Sequence, residues 1–135
     1  MRQLIFILLF ISCCTSNTSN TEAPQKPEDF NAFFAKFKNS KKLQSERIVK
    51  PLISYQLEIG DNNNTYTPVQ ITEKDLLFEQ KDWIEPIVLS IEPSDENLEE
   101  MLVILKGIET GLFIEYHFRL QNNKWYLFKV MDEST

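Results

Sequence analysis

Leu112-Phe113-Ile114-Glu115-Tyr116-His117-Phe118-Arg119-Leu120 is the stretch that decides the fold. Side chains along a strand point alternately to its two sides, so Leu112, Ile114, Tyr116, Phe118 and Leu120 share one apolar face while Phe113, Glu115, His117 and Arg119 share a mixed one. The first of these is a core face. Three more β-type runs surround it: Pro86 to Ile91, Met101 to Ile108 and Trp125 to Met131. They are separated by Glu92 to Glu100, Glu109-Thr110-Gly111 and Gln121-Asn122-Asn123, connections short enough to predict an antiparallel meander.

The register of that meander turns on Gly111. A two-residue Thr110-Gly111 turn sets Lys106 opposite Glu115 and Leu105 opposite Tyr116, whereas a three-residue loop ending in left-handed Gly111 sets Lys106 opposite Ile114. Thr110 tolerates positive φ badly, which favours the second. Runs two and four are apolar on both sides. Leu102, Ile104 and Ile108 oppose Met101, Val103 and Leu105; Tyr126, Phe128 and Val130 oppose Trp125, Leu127 and Met131. One helix cannot cover two faces, so the second is expected to meet another element or another subunit.

Toward the N-terminus, Phe30, Phe33, Phe34 and Phe37 recur at i, i+3, i+4 and i+7, the stripe of an amphipathic helix starting near Pro27. Glu28 and Asp29 at its start and Lys36 and Lys38 at its end complement the helix dipole. Between Lys42 and Ile59, Pro51 prevents a continuous helix, and Ile53, Tyr55, Leu57 and Ile59 alternate like a strand. Gly60-Asp61-Asn62-Asn63-Asn64 reads as a turn, and the residues that follow as a hairpin-type loop. Thr72-Glu73-Lys74-Asp75 reads as the capped start of a short helix through Phe78.

At the other extreme of the chain, an apolar run from Leu4 to Ile11 follows Arg2 and stops at Ser12-Cys13-Cys14, before the polar stretch Thr15 to Lys26. Eight apolar residues cover only about 12 Å of helix, too little for the ~30 Å core of a bilayer, so the segment predicts an export signal and not a membrane span. Phe10-Ile11-Ser12-Cys13 resembles a bacterial lipobox, with Phe10 in place of the usual leucine. That resemblance implies a signal peptide over 1–12 and a palmitate-type lipid on Cys13, while the Ser-, Thr-, Asn- and Pro-rich composition that follows predicts a tether through residue 26 and the remaining length fits one α+β domain over 27–135. It places the protein at the bacterial cell envelope, anchored in the membrane by its lipid, with the periplasmic face of the outer membrane as the expected location. Cleavage without lipidation would leave a secreted, unanchored protein.

The 135 residues carry a formal charge of −6. Within 36–50, however, Lys36, Lys38, Lys41, Lys42, Arg47 and Lys50 face Glu46 alone. Such a patch either rests on anionic headgroups or is a solvated helix end. An acidic protein outside the cytoplasm is a poor nucleic-acid binder. Both cysteines lie at the cleavage region, so the domain has no disulfide scaffold.

Helices with an aromatic stripe, a strand region and a long meander together resemble the cone-shaped α+β fold of the nuclear-transport-factor-two-like superfamily, and within it an uncharacterised family of bacterial lipoproteins. The residues carrying this resemblance are Phe30, Phe33, Phe37, Gln44-Ser45-Glu46-Arg47-Ile48, Pro51-Leu52, Trp83, Gly111, Tyr116, Phe118, Trp125, Leu127 and Asp132-Glu133-Ser134. The resemblance implies N-terminal helices packed on a curved antiparallel sheet, a pocket within the cone and pairing of subunits through sheets. It carries over no catalytic residue.

Chemistry-bearing motifs are few. His117 is the only histidine, and no His-Glu-x-x-His or Cys-x-x-Cys spacing exists, so neither a metal site nor a cofactor is expected. Asp61-x-Asn63-x-Thr65 starts like a calcium loop, but Tyr66 and Thr72 stand where glycine and glutamate are needed. The expected function is a non-catalytic, lipid-anchored binding module. It either pairs as a homodimer through its sheet or encloses a small apolar ligand contacted by Arg47, Tyr55, Tyr116 or His117. The alternative is an isomerase- or hydrolase-type enzyme using His117 with Glu115 or Asp132.

Overall fold

The structure is a computed structural model that describes residues 26–61, 63–78, 87–95, 97 and 99–135. The export signal, Cys13, nearly all of the tether, Trp83 and Pro86 lie outside the described residues.

Asp29 opens the first helix, α1 (Phe30–Phe37), by accepting a hydrogen bond from the Ala32 amide at 2.8 Å. Ser40 does the same for α2 (Lys41–Arg47) through the Leu43 amide at 3.2 Å. Each cap satisfies an amide that the helix itself cannot. Gln44, fully buried, donates from Nε2 to the Phe37 carbonyl at 3.0 Å and so closes the C-terminal end of α1. All four phenylalanines of the α1 stripe are buried. Their rings surround Phe118, with centroids 5.3–5.9 Å away in edge-on contacts, the arrangement that ring quadrupoles favour.

Six strands follow: β1 (Ile48–Ile59), β2 (Asn64–Ile71), β3 (Ile87–Pro93), β4 (Glu100–Gly107), β5 (Phe113–Gln121) and β6 (Lys124–Asp132). The predicted meander is present, since β3, β4, β5 and β6 pair consecutively and antiparallel. The whole sheet is nevertheless mixed. Its order is β2-β1-β6-β5-β4-β3, and β1 runs parallel to β6. The connection between these two strands spans the rest of the chain, which is what a parallel pairing requires and what short turns cannot reveal.

Four further expectations are corrected. The segment expected to continue as a loop after the turn is β2 from Asn64 to Ile71, an edge strand in which Pro68 opposes Tyr55; proline is tolerated at an edge because no neighbour needs its missing amide. Thr72 to Phe78 forms turns and no helix. Here the Asp75 carboxylate takes both the Thr72 amide and hydroxyl, at 2.7 and 2.9 Å, and the Leu77 amide is committed to the Tyr116 hydroxyl at 3.1 Å. An amide spent on tertiary structure cannot propagate a helix.

The β4–β5 register matches neither expected turn, because Lys106 opposes Phe113 and Leu105 opposes Ile114. Gly107 donates to the Leu112 carbonyl at 3.0 Å across a loop in which Glu109 and Gly111 both take positive φ, 65° and 72°. Directly opposed residues share a face, so this register puts Leu105 and Val103 in the core with Ile114 and Tyr116. The three-residue loop would have placed Lys106 there.

Finally, the faces of β6 exchange partway along. Phe118 opposes Leu127 while His117 opposes Lys129, so Phe128 is an extra residue and a bulge. Trp125, Leu127 and Val130 are buried together as a result, although strict alternation separates Val130 from Leu127. The β5–β6 turn follows its sequence more simply. Asn122 and Asn123 both have positive φ, as a two-residue hairpin turn requires and as asparagine tolerates.

Candidate functional site

The sheet's two faces differ in what covers them. On the helix side, α1 packs over Phe118 and Trp125. Beyond the helices, a cavity of about 320 Å³ is lined by Ser54 and Gln56 of β1, Val69, Gln70 and Ile71 of β2, Ile114 and Tyr116 of β5, Val130 and Asp132 of β6, and Asp75 and Leu77 of the turn. Its size lies at the small end of the roughly 300–1,000 Å³ usual for small-molecule sites.

Tyr116 is the hub of this cavity. Its ring packs on Phe78 at a centroid distance of 4.3 Å, and its hydroxyl accepts the Leu77 amide. Burial, with a smaller push from the Asp132 carboxylate, raises its pKa to about 12. The phenol therefore stays neutral at any physiological pH. Ser54 is only 3% exposed and lines the cavity, its hydroxyl not being one of the fully buried, unpartnered atoms, which among the described residues are Gln44 Oε1 and Arg119 Nε. Asp75, at the rim, is held below the ordinary aspartate pKa by its bonds from Thr72.

Of the four residues expected to contact a ligand, only Tyr116 lines the cavity. Arg47 sits elsewhere, donating from Nη1 to the Glu28 carboxylate at 3.0 Å and to the Trp125 carbonyl at 3.2 Å. Its guanidinium carbon lies 5.6 Å from the Phe33 centroid and 5.4 Å from that of Tyr126. Glu28 also accepts the Trp125 amide at 3.1 Å, and its carbonyl accepts the indole N–H at 2.7 Å. This knot ties the entry of α1 to β6.

Tyr55 and His117 lie on the opposite sheet face from the cavity. His117 Nε2 is 3.1 Å from Glu115 Oε2. Burial, and secondarily Lys129, lowers its pKa to about 4, so the imidazole is neutral at pH 7. Burial and the carboxylates of Glu133 and Glu92 raise the Glu115 pKa, against an opposing pull from Lys129. Nearby, the Arg119 guanidinium stacks 3.6 Å from the Phe128 centroid, and the Tyr66 hydroxyl donates to Glu133. Asp132 faces the cavity and Glu115 faces away from it, so His117 is brought to Glu115 and not to Asp132. Neither the main cavity nor a smaller one of about 160 Å³ beside Pro51 includes His117.

Ser54, Gln56, Gln70 and Asp75 were not legible as site residues. On β1 the apolar alternation of Ile53, Tyr55 and Leu57 draws attention to its own face, whereas buried Leu52 and Ser54 mark the inner one. The one available signal was Ser54 itself, a small polar residue on the side of the strand that carries Leu52.

Among the described residues, no three His, Cys, Asp or Glu side chains are grouped to hold a metal ion, and no helix is long and apolar enough to cross a membrane. No family model matches the sequence, and no curated protein matches it. Among solved structures, the chain is similar to an NTF2-like (nuclear-transport-factor-two-like) protein from Bacteroides fragilis NCTC 9343, with a TM-score of 0.56 and 23% identity over 84% of this chain. The match covers 50% of that protein, so this chain spans about half its length. Two N-terminal helices on a six-stranded mixed sheet, together with this likeness, give the chain an NTF2-like α+β fold.

Proposed function

We propose that this chain is a non-catalytic binding module, anchored at the bacterial cell envelope by a lipid on Cys13, that holds a small ligand in the cavity between Ser54, Tyr116 and Asp132. The cavity carries this proposal: it is a pre-formed, half-open recess in which the polar side chains of Ser54, Gln56, Gln70, Asp75, Tyr116 and Asp132 converge with apolar ones in about equal share, large enough for a small molecule. The envelope address rests on the export pattern of residues 1–14.

The separation of His117 from the cavity argues against the enzymatic alternative, which needs an acid–base pair where substrate binds. His117→Gln is therefore expected to leave ligand occupancy unchanged, and loss of occupancy would revive that alternative. For the address, the mature N-terminus decides. Intact mass of membrane-extracted protein should show a chain beginning at an acylated Cys13, and recovery of unprocessed, unacylated protein would refute the anchor.

A second mode of action is favoured by the sheet's outer face. Ile53 and Tyr55 of β1, Leu102 and Ile104 of β4 and Met131 of β6 are neighbours there through paired positions and are only partly exposed. Pairing of two copies through this face would cover them. Sedimentation showing a monomer at all accessible concentrations would exclude it.

A further inference from the structure

Resting on the assignment of the cavity as a ligand site, we infer that its ligand is a small organic cation, a protonated amine carried on a compact apolar body. Among the described residues, the charged groups lining the cavity are Asp75 and Asp132, with no lysine, arginine or histidine beside them. An anion placed there would meet these two carboxylates without compensation from the described lining, while a cation would be drawn in by both.

Each carboxylate spends one oxygen internally and keeps the other. Asp75 accepts the Thr72 amide and hydroxyl at Oδ2 alone, and Oδ1 has no hydrogen bond to a described residue. Asp132 accepts the Ser134 amide at Oδ1, 3.1 Å away, and its Oδ2 has none. The Thr72 contacts also lower the Asp75 pKa, so that group is charged at neutral pH.

Ser54 supplies the independent observation. It is 3% exposed, lines the cavity and offers a hydroxyl that no described residue satisfies. The hydroxyl itself is not sealed from solvent, since the fully buried polar side-chain atoms without a partner among the described residues are Gln44 Oε1 and Arg119 Nε, so it opens to the cavity and is free to bond a ligand there. An ammonium group has donors to spare. Ile71, Leu77 and Val130 form apolar walls that suit a hydrocarbon or aromatic body, and the neutral Tyr116 edge completes the enclosure.

Three probes that share a phenyl body and differ in the head group test this: 2-phenylethylammonium, 2-phenylethanol and 3-phenylpropionate. Titrated into the isotopically labelled full-length chain, the ammonium compound should shift the Ser54, Ile114 and Val130 amide resonances and bind at least about 10-fold more tightly than the alcohol, because a charged hydrogen bond outweighs a neutral one. The carboxylate should not bind. Asp132→Asn and Asp75→Asn should each weaken the ammonium compound roughly 5-fold or more and leave the alcohol unchanged.

Salt provides a check without mutation: going from about 50 to about 500 mM NaCl should weaken the ammonium compound and not the alcohol. Equal or tighter binding of the alcohol or carboxylate, or salt-insensitive binding of the ammonium compound, would overturn the cation inference while leaving the cavity as a ligand site. Failure of all three probes to move these resonances would sink the ligand site itself, and the inference with it.

Discussion

Exchanging Glu28 for Gln and Arg47 for Met, singly and together, tests whether Arg47 is a structural clasp. The Glu28 carboxylate accepts from Arg47 at 3.0 Å and from the Trp125 amide at 3.1 Å. The two ionic side chains are 31% and 14% exposed, so the pair sits between the surface case, worth at most about 1 kcal/mol, and the buried case, where removing one partner costs about 3–5 kcal/mol. Glu28→Gln keeps an acceptor for the amide and loses the charge, for an expected cost of about 1–2 kcal/mol. Arg47→Met keeps a hydrocarbon stem against Phe33 and Tyr126 but leaves Glu28 without its cation, for about 2 kcal/mol. Urea denaturation of the four proteins closes the double-mutant cycle. A coupling of about 1–2 kcal/mol is expected. Coupling below about 0.3 kcal/mol, within the scatter for independent sites, would refute the clasp and return Arg47 to the pool of ligand-contacting candidates.

Acid stability should report the burial of His117. Its pKa is about 4 in the folded chain against 6.5 for an unperturbed imidazole, so between these values the unfolded chain binds the proton more readily. Stability falls as pH drops through that window, by up to ~1.4 kcal/mol per pH unit, and His117→Gln should remove that component of the slope. The raised Glu115 pKa has the opposite sign, its folded form keeping a proton that the unfolded form releases. Equal pH slopes for parent and variant between about 4 and 6.5 would contradict the buried, neutral imidazole. Gly111→Ala should cost about 1–2 kcal/mol, because φ is 72° there and a Cβ would lie 2.3 Å from the Thr135 carbonyl oxygen. Faster hydrogen exchange of the Thr135 amide, which donates to the Gly111 carbonyl at 3.0 Å, should accompany it. Unchanged stability and exchange would rule out this closure.

The elements that were legible in the sequence are those specified by local periodicity. The α1 stripe and the alternation of Leu112 to Leu120 each encode which side must be buried, since a side chain's direction follows from helix or strand geometry alone. The Asn122-Asn123 turn was legible for a similar reason, as its backbone conformation is a property of those two residues. Thr72 to Phe78 shows where local information fails. Its capping contact forms as the residues suggest, but the Leu77 amide bonds Tyr116, 39 residues away. The cavity follows the same pattern: Tyr116, expected to meet a ligand, lines it, whereas Ser54 and Asp75 are brought to it only by the strands and turn that enclose it.

By itself, then, the sequence determined the fold class, the aromatic core between α1 and the meander, and the core side of β5. Tertiary structure alone decided the parallel seam between β1 and β6, the bulge at Phe128 and the choice of which face of β1 looks inward. Those features depend on the pairing of segments distant along the chain, and an apolar residue carries the same hydrophobic gain whichever partner covers it. The separation of His117 from Asp132 follows from that choice: fifteen residues apart in sequence, they are divided by the thickness of the sheet, because a strand sends alternate side chains to opposite sides and the bulge reverses which ones.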